Sequence, residues 1–252
     1  MTARSLGLGI LLTVGAPGGV AWAEDPRPDF QDPATRAEAQ LDVLAGLVGS
    51  GLTDQALDVA RDLRASGMKD DRLDVLQATA MHQKGMSGEA LTMLQKVVAR
   101  HPRDAAAWGA LGLLHADLKR VDLAVDALQR AARLDKNNAI YLNNLGFVLY
   151  AHGDYKGAVE AYQAAVVLDP AAVRTRNNLG FAFARLNKDP EALEAFRAAG
   201  DESSARYNLG VACELRNDTA CALTNYQAAL SARPDSVRVQ NALNSLLSAE
   251  SP

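Results

Sequence analysis

Cysteine is nearly absent from this chain: its 252 residues contain two, Cys213 and Cys221. That excludes a disulfide-built scaffold and a multi-thiolate zinc module. Histidine is almost as scarce. His82, His101, His115 and His152 include no i,i+4 pair, so the helical zinc-hydrolase pattern is missing. There is no phosphate loop, no dinucleotide fingerprint and no Ser-His-Asp signature in the sequence. The residues therefore predict no catalytic site, no metal and no cofactor, and the chain reads as a non-enzyme. Aromatics make up 5% and the net charge is −4. Nucleic-acid partners need basic surfaces and stacking platforms, so that class is also excluded.

Long apolar runs are missing too. No stretch reaches the roughly 20 residues that a membrane-spanning helix needs. The one sustained run, Leu6 to Val14, follows the positive start Met1 to Arg4 and precedes Ala21-Trp22-Ala23. That layout predicts a secretory signal peptide over 1–23, with the mature chain starting near Glu24. The expected location is outside the cytoplasm, periplasmic if bacterial, or secreted. No cysteine follows the apolar run, so a lipoprotein anchor is not predicted. Residues 24–36, EDPRPDFQDPATR, hold three prolines and predict an extended leader.

What the chain does contain is internal repetition. Trp108-x-x-Leu111-Gly112, Leu142-x-x-Leu145-Gly146, Arg176-x-x-Leu179-Gly180 and Arg206-x-x-Leu209-Gly210 recur at steps of 34, 34 and 30 residues. Twelve residues after each glycine comes Ala124, Ala158, Ala192 or Ala222. Four further on stands Leu128, Tyr162, Phe196 or Tyr226, and three beyond that Ala131, Ala165, Ala199 or Ala229. Gly85, Ala90, Leu94 and Pro102 continue the register backwards, as do Gly51 and Ala56. Apolar positions three and four apart make each half-repeat one amphipathic helix. Small residues let two helices approach, and the large ones fill the space between them. Gly51, Gly85, Gly153, Asn187 and Asn217 share one slot, where a left-handed helix terminus is expected. Lys119 breaks that pattern.

These motifs resemble the tetratricopeptide-repeat family over roughly 37–249. The resemblance implies an all-α, right-handed superhelix (a solenoid) of about six helix–turn–helix repeats plus a C-terminal capping helix. The repeats are 37–70, 71–104, 105–138, 139–172, a shortened 173–202, and 203–236. The cap is 237–249, with Leu243 and Leu247 on its apolar side. The run 192–230, with its Phe-x-x-Ala-Gly junction, is similar to exported repeat proteins of tight-adherence (Flp-type) pilus assembly. Those usually carry a lipoprotein cysteine that this chain lacks.

The resemblance also implies a function. In this family the first helices line a concave groove that binds a protein or peptide. Here the groove residues are Asn143, Asn144, Phe147, Tyr150, Arg174, Asn177, Asn178, Phe181, Arg185, Tyr207 and Asn208. Asn144, Asn178 and Asn208 form a ladder, and a primary amide pairs with any peptide group because it both donates and accepts. The same asparagines could instead bond helix to helix. The family's chaperone-type carboxylate clamp is not matched. His115 occupies a packing slot. Cys213 faces the hairpin interior and Cys221 starts the returning helix. A disulfide between them and two free thiols are both open, and two cysteines without a nearby histidine make a poor metal site. The expected function is a non-catalytic scaffold binding an extended polypeptide or helix. The alternatives are a self-associating solenoid and, further off, a glycan-binding solenoid or enzyme accessory subunit.

Overall fold

A computed structural model describes residues 32–249. The expected signal peptide and most of the leader lie outside the described residues. The chain divides into two units, 1–40 and 41–252. The described part of the first is the opening of helix α1 (Pro33–Gly49). The leader was expected to stay extended to residue 36, but the helix starts at Pro33. Asp32 takes hydrogen bonds from the Thr35 amide and hydroxyl at 2.8 and 2.9 Å, and proline suits a first helical position.

The described residues contain helices only. After α1 come α2 (Thr53–Ala65), α3 (Asp71–Gln83), α4 (Ser87–Arg100), α5 (Ala105–Asp117), α6 (Val121–Leu134) and α7 (Ala139–His152). They continue with α8 (Tyr155–Leu168), α9 (Val173–Arg185), α10 (Asp189–Ala199), α11 (Glu202–Glu214), α12 (Thr219–Ala232) and α13 (Val237–Ala249). Consecutive helices pair as antiparallel hairpins, and each hairpin stacks on the next, which is an all-α tetratricopeptide-repeat solenoid. No helix among the described residues is long and apolar enough to cross a membrane.

Local chemistry starts and stops these helices. Asp70, Asp104, Asn138, Asp154, Asp201 and Asp218 each cap a helix with a side-chain oxygen. Between the helices of each hairpin one residue takes positive φ: Gly51, Gly85, Lys119, Gly153, Asn187 and Asn217. Lys119, at φ 60°, adopts the left-handed turn in spite of its Cβ. The closure is the same at every turn. The Lys188 amide bonds the Phe183 carbonyl at 3.0 Å, as the Arg120 amide bonds His115 at 2.9 Å.

The glycine–large-residue pairs hold each hairpin together. A Cβ placed on Gly112 would lie 2.7 Å from Leu128. The same atom on Gly146, Gly180 or Gly210 would lie 2.5–2.7 Å from the ring of Tyr162, Phe196 or Tyr226. Leu128 and these three rings are buried, as are the alanines that flank them. Ala199 is the exception at its slot. It is half-buried, because α10 ends there and Gly200 turns fully extended.

The cap differs in detail from expectation. Helix α13 buries Val239 and packs Leu243 and Leu246 against the sixth hairpin. Leu247 is 46% exposed. The apolar stripe therefore runs 239–243–246, the i, i+4, i+7 spacing of one helix face.

Candidate functional site

The first helices of units four to six, α7, α9 and α11, lie side by side, and α7 and α11 each touch α9. Their facing residues include most of the residues expected in the groove. Phe147, Tyr150, Asn178 and Phe181 join Tyr162, Val211 and Leu215 around a pocket of about 260 Å3. Phe147 is 58% exposed and Leu215 55%, so two large apolar side chains face solvent at the pocket rim. Phe181 stands edge-on to the buried Phe196, ring centres 5.0 Å apart, which fixes its angle.

The asparagines bond to one another between repeats. Asn178 donates its side-chain amide to Asn143 Oδ1 at 3.2 Å, and Asn208 donates to Asn177 Oδ1 at 3.0 Å. Each bond links one repeat to the one before it. Asn143 approaches Asn144 Oδ1 at 3.5 Å. The ladder is thus a chain of inter-repeat bonds. It leaves the Asn178 and Asn208 carbonyl oxygens and the Asn144 amide nitrogen without a protein partner among the described residues.

Three expected groove residues stand elsewhere. Arg185 donates to the Leu215 carbonyl at 3.1 Å and to Tyr155 Oη at 2.6 Å, with its guanidinium over the Tyr155 ring. It buttresses the wall and does not project into the groove. Tyr207 lies against Tyr226 and under the guanidinium of Arg238, 4.1 Å from the ring centre, so the cap covers it. Arg174 is exposed beyond the pocket. Leu215 was missed by sequence reasoning. Its signal was a leucine at a turn position with no core slot to fill.

Burial shapes the titration of the groove's phenols. It raises the Tyr150 hydroxyl above the usual tyrosine range, partly offset by the charge of Arg185. It raises Tyr162 further. Both are neutral donors at any physiological pH.

Other clusters are consumed by the fold. A larger depression of about 780 Å3 lies on α2, α3 and α4. Two of its arginines are already paired, Arg64 and Arg100 both with Asp74. A Ser–His–Asp string does form, although no sequence signature announced it. His82 Nε2 meets Asp117 at 2.6 Å, and Nδ1 meets Ser87 Oγ at 3.0 Å. It joins the second hairpin to the third helix pair, and no described pocket opens onto Ser87. Burial pushes the His115 imidazole down, with the charge of Arg120 adding to the effect. Its Nδ1 has no hydrogen-bond partner. Gly109 is covered by the Tyr141 ring of the next unit.

Cys213 and Cys221 are joined by a disulfide across the sixth hairpin, Cα atoms 5.8 Å apart. Cys213 is fully buried and Cys221 half-buried. The helix starts at Thr219, so Cys221 sits in its first turn and reaches back toward α11.

Comparison with known proteins agrees with this architecture. Residues 148–187 match a model described as TPR repeat, and residues 75–139 one described as tetratricopeptide repeat. No curated protein matches by sequence. Among solved structures, YrrB, titled a TPR protein with an unusual peptide-binding site, aligns with a TM-score of 0.54 at 23% identity. That alignment covers 73% of this chain and 96% of YrrB. A MamA crystal structure aligns with a TM-score of 0.51 at 25% identity, over 62% of this chain and 92% of that one.

Proposed function

Taking as premise that this chain is a tetratricopeptide-repeat protein, we propose that it is a non-catalytic scaffold that binds a polypeptide segment in the groove formed by α7, α9 and α11. The observation that carries this reading is the pocket rimmed by Phe147 and Leu215. Large apolar side chains exposed beside a concavity favour burial by a partner, at about 25 cal/mol per Å2 covered. The unspent Asn178 group lines the pocket, and those of Asn144 and Asn208 stand one helical turn before its Phe147 and Val211, where they can pair with a peptide backbone. An occupant that seats one apolar side chain among Phe147, Tyr150 and Phe181 uses both features. The peptide-binding site named for YrrB is consistent with this use of the fold.

The N-terminal pattern adds location to the proposal. A signal peptide over 1–23 delivers the scaffold outside the cytoplasm, where an envelope or pilus assembly supplies the partner.

Affinity capture from an envelope extract tests the reading, with residues 24–252 as bait. Phe147→Ala is the companion bait, because this side chain is exposed and its loss leaves the cores intact. Retention of a partner by the parent and its loss by Phe147→Ala is the expected result. Equal capture by both baits would remove the groove from the proposal. Capture of the chain by itself alone would favour self-association.

A further inference from the structure

The turn after α11 is closed like those before it. The Asp218 amide donates to the Cys213 carbonyl at 2.9 Å, as Lys188 does to Phe183 and Asp154 to Leu149. The other hairpins hold this closure without cysteine, so the Cys213–Cys221 bridge is not what shapes the turn. In the preceding hairpin the equivalent positions are Phe183 and Glu191.

A buried cation accompanies the bridge. Arg216, whose side chain is 12% exposed, places Nη2 3.4 Å from Cys213 Sγ and 3.8 Å from Cys221 Sγ. It is held there by Asp189 at 2.6 and 3.0 Å and by the Ala184 carbonyl at 2.7 Å. Two carboxylates also face this cluster: Asp189 Oδ2 lies 3.8 Å from Cys221 Sγ, and Asp218 lies 3.9 Å from the guanidinium. The Asn225 amide nitrogen lies 3.5 Å from Cys221 Sγ. A neutral disulfide gains little from a fixed guanidinium, whereas a thiolate gains a counter-charge. Asp189, Cys213 and Cys221 bring three donor atoms within 4.8 Å of one another. The guanidinium fills that place with positive charge and closes it to a metal ion.

We propose that Cys213–Cys221 is a reversible thiol–disulfide exchange site, reduced by a dithiol through attack on Cys221 and coupled to the groove through Leu215. Cys221 is the accessible sulfur. A thiolate of the dithiol attacks Cys221 Sγ and a mixed disulfide forms. The protein's S–S bond breaks, and its electron pair leaves on Cys213 Sγ beside Arg216. The second thiolate then attacks the dithiol's own sulfur in the mixed disulfide, and Cys221 leaves as a thiolate. Two electrons have passed to the protein, and the dithiol has become a cyclic disulfide. The protons released by its thiols are available to the new thiolates. A leaving thiol of low pKa departs faster, which is the contribution of Arg216.

Leu215 lies inside the bridged loop. It lines the groove pocket, and its carbonyl accepts from Arg185. Opening the bridge removes the covalent tie across the segment that carries this wall and leaves it to the turn's hydrogen bonds alone. The coupling rests on the groove proposed above, and the exchange chemistry does not.

The test treats the purified chain with dithiothreitol in the absence of denaturant. Thiol counting follows reduction, circular dichroism follows the fold, and absorbance at 240 nm follows thiolate titration. Reduction of the folded chain is expected, with one thiol titrating below the ~8.5 of a free cysteine. Arg216→Gln should return that thiol toward ~8.5 and slow reduction about threefold, with Arg216→Lys in between. Reduction only in denaturant, or two thiols at ~8.5 in the parent, would overturn the exchange site without any variant. Faster hydrogen exchange across 211–219 on reduction is expected, and unchanged exchange there would overturn the coupling. Loss of partner capture by Phe147→Ala is a separate measurement, so the two readings fail independently.

Discussion

Replacing Gly180 by alanine should destabilise the chain, although alanine is the better helix former. Two opposing effects set the size. In a helix interior alanine is favoured over glycine by about 1 kcal/mol. Against that, the new Cβ would sit 2.5, 2.7 and 2.8 Å from three carbons of the Phe196 ring. Phe196 is 1% exposed and is held edge-on by Phe181, so the ring has nowhere to retreat. Overpacking of this kind costs about 1–3 kcal/mol, and contacts this short from a fixed ring belong at the upper end. The net expectation is a loss of about 2 kcal/mol. Gly46→Ala is the matched control. Gly46 is also helical, and a Cβ there meets nothing within 4 Å, so the same substitution should stabilise by up to about 1 kcal/mol. Urea unfolding followed at 222 nm would read both. With a slope near ~2 kcal/mol/M, the Gly180→Ala midpoint falls by about 1 M and the Gly46→Ala midpoint rises by a few tenths. Repeat arrays can unfold in parts, so hydrogen exchange in α9 and α10 should report the same loss locally. Adding Phe196→Leu to Gly180→Ala should cost less than the sum of the single changes, because removing the ring relieves the contact. A Gly180→Ala midpoint equal to or above the parent's would refute the account of why glycine recurs in the first helices.

His115→Leu should add about 1 kcal/mol of stability at pH 6, read as a higher urea midpoint, since it removes a buried nitrogen with no partner. The sign with pH is defined. His115 is held below its ordinary pKa by burial first and Arg120 second. Its stabilisation is therefore present above about 6.5 and lost as pH falls toward the lowered value. Urea midpoints at pH 7.5 and 5.5 should converge in the variant, and an unchanged difference would count against the assignment. Glu202 is held at about 2, first by its hydrogen bond to Arg197 and then by Arg206. The stability linked to it is present above about 4.5 and fades as pH falls toward 2. A carbon-13 titration of the Glu202 carboxyl is the direct check, and a midpoint near 4.5 would contradict the ion-pair geometry.

Much of the architecture was legible because it is local. The pairing of Gly146 with Tyr162, or of Gly180 with Phe196, spans sixteen residues of one hairpin and follows from helix periodicity and side-chain size. The positive-φ slot at Gly153, Asn187 and Asn217 was legible for the same reason, since a helix terminus of this shape favours those residues. Lys119 carried no such signal. Its neighbours impose the turn, and its side chain tolerates it at a cost the rest of the hairpin offsets. Of the residues named for the groove, the structure brings some together and places others apart. Phe147, Tyr150, Asn178 and Phe181 meet in one pocket. Arg185 turned into the wall because Tyr155 and the Leu215 carbonyl offered it partners. Tyr207 was covered because α13 brings Arg238 onto its ring.

The amino-acid order by itself determined that the chain folds as stacked helical hairpins, where most hairpins turn, and which large residue fills the gap over each repeated glycine. These relations act within a few turns of helix, so spacing and residue size carry them. Tertiary structure alone decided which asparagines bond between neighbouring repeats, that Leu215 becomes a pocket wall, and that Arg216 lies on both sulfurs of the bridged hairpin. Those outcomes depend on the angle at which one hairpin meets the next. Many weak contacts set that angle together, and no local pattern encodes it.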